Sequence, residues 1–147
     1  MKKTFLATVI FSVTLLSTPI LSFSEQRLSV QKDKINVRSG PGTNHEILWK
    51  AEKYYPLQVL DTNDKWIHFR DFEGYDGWVY KPLLSNDKTI VTKNRKSNIR
   101  KGPGKEYPVL FTAGKGVPFL VLETKKDWYK VRHSDGDTGW VFKSLIW

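Results

Sequence analysis

The side chains in this sequence best suited to chemistry are a set of aromatics and a cluster of cations, and the chemistry they suit is recognition rather than bond-making. Trp66 and Trp128 head two similar segments, Trp66-Ile67-His68-Phe69-Arg70 and Trp128-Tyr129-Lys130-Val131-Arg132. Alternate side chains of an extended chain face opposite ways, which sets both Trp against Ile67 and Phe69, or Tyr129 and Val131. A flat indole on that side, beside Tyr54, Tyr55 or Tyr75, suits a shallow groove that stacks on a sugar ring or a peptide. Half-buried surface packing is the competing reading. The cations are Lys88, Lys93, Arg95, Lys96, Arg100, Lys101 and Lys105. Of these, Lys93, Arg95, Lys96 and Arg100 are the candidates for an anion-binding face. The alternative is a solvated edge, since lysines also guard strand edges against aggregation.

Catalytic and metal chemistry find little to work with. The chain has no cysteine, hence no thiol nucleophile. Its three histidines, His45, His68 and His133, show no spacing to one another or to carboxylates that suggests a metal site. Gly102-Pro103-Gly104-Lys105 is superficially glycine-rich. A phosphate loop, however, requires glycine where Ile99 stands and Ser or Thr where Glu106 stands. Asp61 and Asp64 fall in turn-like stretches, where Asp is favoured for backbone reasons. The expectation is a protein without catalytic residues, cofactor or metal.

The elements that position these residues come in two copies. Asn36-Val37-Arg38-Ser39-Gly40-Pro41-Gly42 returns as Asn98-Ile99-Arg100-Lys101-Gly102-Pro103-Gly104, and Gly77-Trp78-Val79-Tyr80-Lys81 as Gly139-Trp140-Val141-Phe142-Lys143. The offset is 62 throughout, without a gap, and 20 of the 49 positions between 36 and 84 are identical to their counterparts. That period is too long for a solenoid unit and fits a whole small domain. The histidines do not share the repeat: their counterparts are Tyr107, Lys130 and Asp71.

Residues 1–24 lie outside both copies. Lys2-Lys3, an apolar run from Phe5 to Leu16 and the small residues Ser22 and Ser24 form the pattern of a secretory signal peptide cut before Glu25. The run is too short for a spanning helix, and without cysteine a lipid anchor is excluded, so no integral span is expected after cleavage. The expected location is the periplasm, the cell envelope or the exterior. Two domains follow, 25–86 and 87–147. Charge divides them: the first holds nine basic and nine acidic residues, the second thirteen and six, or +7. The asymmetry points to an anionic partner for the second half. For an exported protein that means a wall polymer, lipid head groups or an acidic protein, and not nucleic acid.

Short runs rich in β-branched and aromatic residues dominate each copy: Ile35 to Arg38, Pro56 to Leu60, Lys65 to Arg70 and Trp78 to Lys81 in the first. Leu28 to Val30 and Thr89 to Thr92 open the two copies, leaving about Ser85 to Lys88 as linker. No stripe of helical period exists. The expected fold class is all-β, with five or six antiparallel strands per copy closed into a small barrel. Pro41 and Pro103 preset one corner of a turn, with Gly42 and Gly104 expected at positive φ as in a type II turn. Gly77 and Gly139 mark close backbone approach, Val79 and Val141 core positions, and Trp78 and Trp140 the covered end of the barrel.

The doubled Asn-(Val/Ile)-Arg-x-Gly-Pro-Gly motif, the Trp-headed strand and the closing Gly-Trp-Val resemble the bacterial SH3-like (SH3b) domain. The resemblance covers about 27–86 and 87–147, and the arrangement is similar to small exported tandem proteins of that family. It implies two small β-barrels that act as targeting or binding modules, often for peptidoglycan beside a wall-degrading domain. The function expected on this basis is non-catalytic recognition of peptidoglycan or another envelope component. A protein-protein adaptor, docking on an envelope enzyme or on a second copy, stands beside it.

Overall fold

The computed structural model describes residues 25–147; the proposed signal peptide lies outside the described residues. Alternation sets the strands and their faces. Ile67 and Phe69 are buried while Trp66 and His68 are half-exposed, and Val131 and Trp128 divide the same way. The first copy forms β1 (Arg27–Val30), β2 (Lys34–Arg38), β3 (Ile47–Glu52), β4 (Pro56–Asn63), β5 (Trp66–Arg70), β6 (Asp76–Tyr80) and the two-residue β7 (Leu84–Ser85). The second forms β8 (Thr89–Val91), β9 (Ser97–Arg100), β10 (Val109–Ala113), β11 (Pro118–Lys125), β12 (Trp128–Arg132) and β13 (Thr138–Phe142). Two antiparallel sheets result, in the orders β3-β2-β6-β5-β4-β1-β7 and β10-β9-β13-β12-β11-β8. Helix among the described residues is limited to one 3-10 turn per copy, Lys81–Leu83 and Lys143–Leu145. The architecture is all-β, as expected of two tandem SH3-like units.

Equivalent positions fill the two cores with different shapes. Leu57 and Phe69 in one copy correspond to Phe119 and Val131 in the other, so the large ring changes strands while the filled volume stays similar. Val79 and Val141 are fully buried. A Cβ on Gly77 would strike Val37, and one on Gly139 would strike Ile99, which is the close approach of β6 to β2 and of β13 to β9. Trp140 is buried, whereas Trp78 is half-exposed and stacks on His68 at 4.7 Å. Ser97 replaces Ile35 and leaves a buried hydroxyl with no hydrogen-bond partner among the described residues.

The copies are packed together rather than strung on a tether. β8 sends Ile90 into the core of the second sheet and Val91 into that of the first. Trp147 exchanges backbone hydrogen bonds with Val91 (3.1 and 2.9 Å) while its ring packs on the first core, with the Arg27 guanidinium 3.8 Å from the ring centroid. Lys115 pairs with Glu73 and lies over the Phe72 ring.

Three details differ from the sequence expectation. The first sheet has seven strands, because Leu84–Ser85 pairs with β1 and extends it. Edge strands β3 and β10 were not anticipated; they expose Ile47, Leu48, Val109 and Leu110, so inward-outward alternation is lost there. Gly42 and Gly104 are not among the glycines at positive φ, which are Gly74, Gly116 and Gly136. The Pro-Gly turn needs its glycines for space instead. Side chains at 40 and 42 would collide with His45 and Asn44, and at 102 and 104 with Tyr107 and Glu106.

Candidate functional site

All three repeated motifs converge on one face of each copy. On β2, Ile35 and Val37 point inward, which turns Asn36 and Arg38 outward on the same face. Trp66 at the start of β5 lies directly across from Tyr80 at the end of β6, with ring centroids 5.5 Å apart and tilted by 54°. These four residues, with Gly42, Thr43, Asn44 and Leu83, line an open groove of about 550 Å³. The second copy repeats it: Asn98, Arg100, Lys105, Trp128, Phe142, Ser144 and Leu145 line a smaller groove of about 290 Å³. Trp128 and Phe142 meet edge-on at 5.2 Å. Asn36, Arg38, Thr43, Trp66, Tyr80 and Leu83 correspond one for one, at the offset of 62, to Asn98, Arg100, Lys105, Trp128, Phe142 and Leu145.

The arginine of the motif shapes this groove. Arg38 Nη1 donates to the carbonyls of Thr43 (3.1 Å) and His45 (2.8 Å), and Arg100 Nη1 donates to that of Tyr107 (2.9 Å). Each guanidinium therefore holds the Gly-Pro-Gly turn against the end of its strand. The turn itself closes by hydrogen bonds from Gly42 to Gly40 and from His45 to Gly42, repeated with the same lengths at 104, 102 and 107. The groove thus offers a half-exposed indole, a second ring that fixes it, and an Asn amide. A Trp held at a steep angle by its neighbour, tilted at Trp66 and edge-on at Trp128, leaves a face for an apolar ring surface, and the amide both donates and accepts hydrogen bonds.

The other sequence candidates lie elsewhere. Tyr54, Tyr55 and Tyr75 do not stand beside Trp66, a correction to the single groove expected from the sequence. Tyr54 takes a left-handed conformation (φ 70) where the second copy has Gly116, with Lys53 over its ring. Tyr55 is buried, with its ring against Trp49 at 5.2 Å. Tyr75 is exposed and, with Leu48, Trp49, Tyr55, Asp71, Glu73 and Asp76, lines a separate pocket of about 430 Å³. Burial, followed by the charges of Asp71 and Glu73, pushes the Tyr55 phenol well above its ordinary value. Asp76 is held low by the Arg70 guanidinium, to which it pairs at 2.8 Å. Lys93, Arg95 and Lys96 are exposed on the loop between β8 and β9 and do not line the second groove; of the four proposed cations only Arg100 does.

Sequence reasoning missed Asn36, Tyr80 and Leu83 with their counterparts Asn98, Phe142 and Leu145, and it missed the separate part played by Lys105. The available signal was the repeat, because Asn36, Arg38, Trp66 and Leu83 recur unchanged and are half-buried in both copies, on the groove side. Among the described residues no group of three or more His, Cys, Asp or Glu is placed to hold a metal ion. None of the described helices is long and apolar enough to cross a membrane.

A family model described as the bacterial SH3 domain matches residues 31–86 and again residues 93–147. The chain is 26% identical over 128 residues to "Putative N-acetylmuramoyl-L-alanine amidase YrvJ" of Bacillus subtilis (strain 168), covering 80% of this chain and 24% of that protein. It thus spans about a quarter of the length of that curated relative. Among solved structures it is similar to an NlpC/P60 family protein from Bacillus cereus ATCC 10987, with a TM-score of 0.40 and 12% identity over 83% of this chain and 56% of that one. NlpC2 from Trichomonas vaginalis gives a TM-score of 0.37 and 14% identity over 84% and 48%.

Proposed function

The chain belongs to the bacterial SH3 domain family, and on that premise we propose that it is an exported, non-catalytic protein whose two grooves bind a cell-envelope polymer, peptidoglycan foremost. The observation that carries this reading is the recurrence of one aromatic groove, at six equivalent positions, in both copies. A relative named for N-acetylmuramoyl-L-alanine amidase activity supports a partner in the wall. In this reading residues 25–86 and 87–147 are the two binding modules and residues 1–24 are removed on export. The +7 of the second module adds long-range attraction to an anionic wall, which salt weakens.

The test is a pull-down of the mature protein with purified sacculi. Trp66→Ala and Trp128→Ala should each weaken binding about tenfold, the worth of one stacked ring, and the double variant should abolish it. Sacculus binding that survives the double substitution, in protein that still melts cooperatively, would overturn the groove as the site. A second reading rests on the edge strands, where Ile47, Leu48, Val109 and Leu110 are exposed at equivalent places. Those residues suit docking on an envelope protein or a second copy. Binding to intact envelopes that is lost once their proteins are stripped would favour it.

A further inference from the structure

The two grooves share a frame and differ at the lip. Asn36, Arg38, Trp66 and Leu83 are unchanged in kind as Asn98, Arg100, Trp128 and Leu145. Four differences stand against that constancy: Tyr80 becomes Phe142, which removes a hydroxyl; Asn44, which lines the first groove, becomes Glu106, which does not line the second; Pro82 becomes Ser144, which brings a hydroxyl to the lining; and Thr43 becomes Lys105, which adds a cation. The second groove thus exchanges the Tyr80 and Thr43 hydroxyls and the Asn44 amide for the Ser144 hydroxyl and the Lys105 ammonium, the one cation added. Arg100 is already engaged with the Tyr107 carbonyl, whereas Lys105 is exposed and forms no ion pair with any described residue. Glu106, the nearest acid in sequence, has its carboxylate folded back against Gly104 and does not line the groove. Counting the turn and its flanking strand end, Arg100, Lys101 and Lys105 less Glu106 leave +2, against +1 from Arg38 alone in the first copy.

Resting on the reading of the grooves as saccharide sites, we propose that they are not equivalent: the first takes a neutral sugar ring, and the second a sugar ring carrying an anionic group, with Lys105 as the residue that distinguishes them. Trp128 supplies the stacking face and the Lys105 ammonium meets the anion beside it. A carboxylate and a phosphate both satisfy that chemistry, and the smaller groove suits one ring.

The experiment follows the Trp66 and Trp128 indole N–H signals by NMR in the full mature chain at low salt. Three probes share a ring: N-acetylglucosamine, N-acetylmuramic acid and N-acetylglucosamine 6-phosphate. Trp66 should respond to N-acetylglucosamine at least as well as to the two acids. Trp128 should favour one or both acids by about fivefold, the upper end for an exposed ion pair. The acid preferred identifies the anion as carboxylate or phosphate. Lys105→Thr should erase the preference at Trp128, and Thr43→Lys should create one at Trp66. If Lys105→Thr leaves the preference intact, or if all three probes bind Trp128 alike, this assignment is wrong while the saccharide reading stands. Silence of both indoles towards every probe would overturn the two together.

Discussion

Replacing Trp147 with alanine probes the coupling of the two copies while leaving both grooves untouched. The Trp147 backbone bonds to Val91 survive the change, so what is lost is the indole on the first core and its contact with Arg27. Truncating a fully buried Trp costs about 3–5 kcal/mol, and this one is half-buried, so about 2 kcal/mol is the packing share. The Arg27 contact adds about 0.5–1 kcal/mol. A total near 2.5 kcal/mol in a domain pair of this size lowers Tm by about 10 °C. The form of the transition is more telling than its midpoint. Each copy alone is small and marginal, and the wild type is expected to melt as one unit because Val91 and Trp147 join their cores. Calorimetry of Trp147→Ala should show two transitions, or a van't Hoff enthalpy well below the calorimetric one. A single unaltered transition within about 2 °C of wild type would refute the coupling and make Trp147 a surface residue.

Two other expectations concern single groups. Ser97→Ala removes a buried hydroxyl that has no partner, so it should raise stability by about 1 kcal/mol in urea denaturation; a loss of that size would mean the hydroxyl is satisfied. The Tyr55 phenol is raised above its ordinary 10.0 by burial and by Asp71 and Glu73. The folded state therefore holds a proton that the unfolded state releases, so this contribution is complete below pH 10 and declines as pH rises beyond it. Urea midpoints measured across that range should fall more steeply for wild type than for Tyr55→Phe, whereas parallel curves would show the phenol to be free to ionise.

Most of the fold could be read from the chain because burial here follows strand alternation. Ile67, Phe69, Val131, Val79 and Val141 each lie on the buried side that their spacing assigns. Alternation failed at the start of β3 and β10, where the neighbours Ile47 and Leu48, or Val109 and Leu110, are apolar yet exposed, while further along Trp49 and Ala51, or Phe111 and Ala113, turn inward. The Pro-Gly turn was misread for a related reason. A type II turn is a statement about φ, while these glycines answer to the rings, the Asn44 carboxamide and the Glu106 carboxylate folded over them, and such crowding appears only once the chain is closed.

The groove was half legible for a different physical reason. Facing could be deduced for Trp66 and Trp128 from their own strands, but the partners that make a surface into a site come from other strands. Tyr80 arrives through the register of β5 with β6, and Thr43 through a turn that Arg38 holds in place. Neither is close to Trp66 in sequence, whereas Tyr75, which is closer to Trp66 than Tyr80 is, lines a different pocket. Duplication compensates for that blindness. A residue kept in both copies for the core must be buried in both, so a kept residue that is half-exposed in both, as Asn36 and Asn98 or Trp66 and Trp128 are, has to answer to something outside the core. By the same argument a position that shares the frame but changes its chemistry, as Thr43 does against Lys105, is where a difference in ligand between the two copies is to be sought. One chain used twice thus supplies its own comparison: shared residues outline the common groove, and the divergent ones are the positions at which to test for specificity.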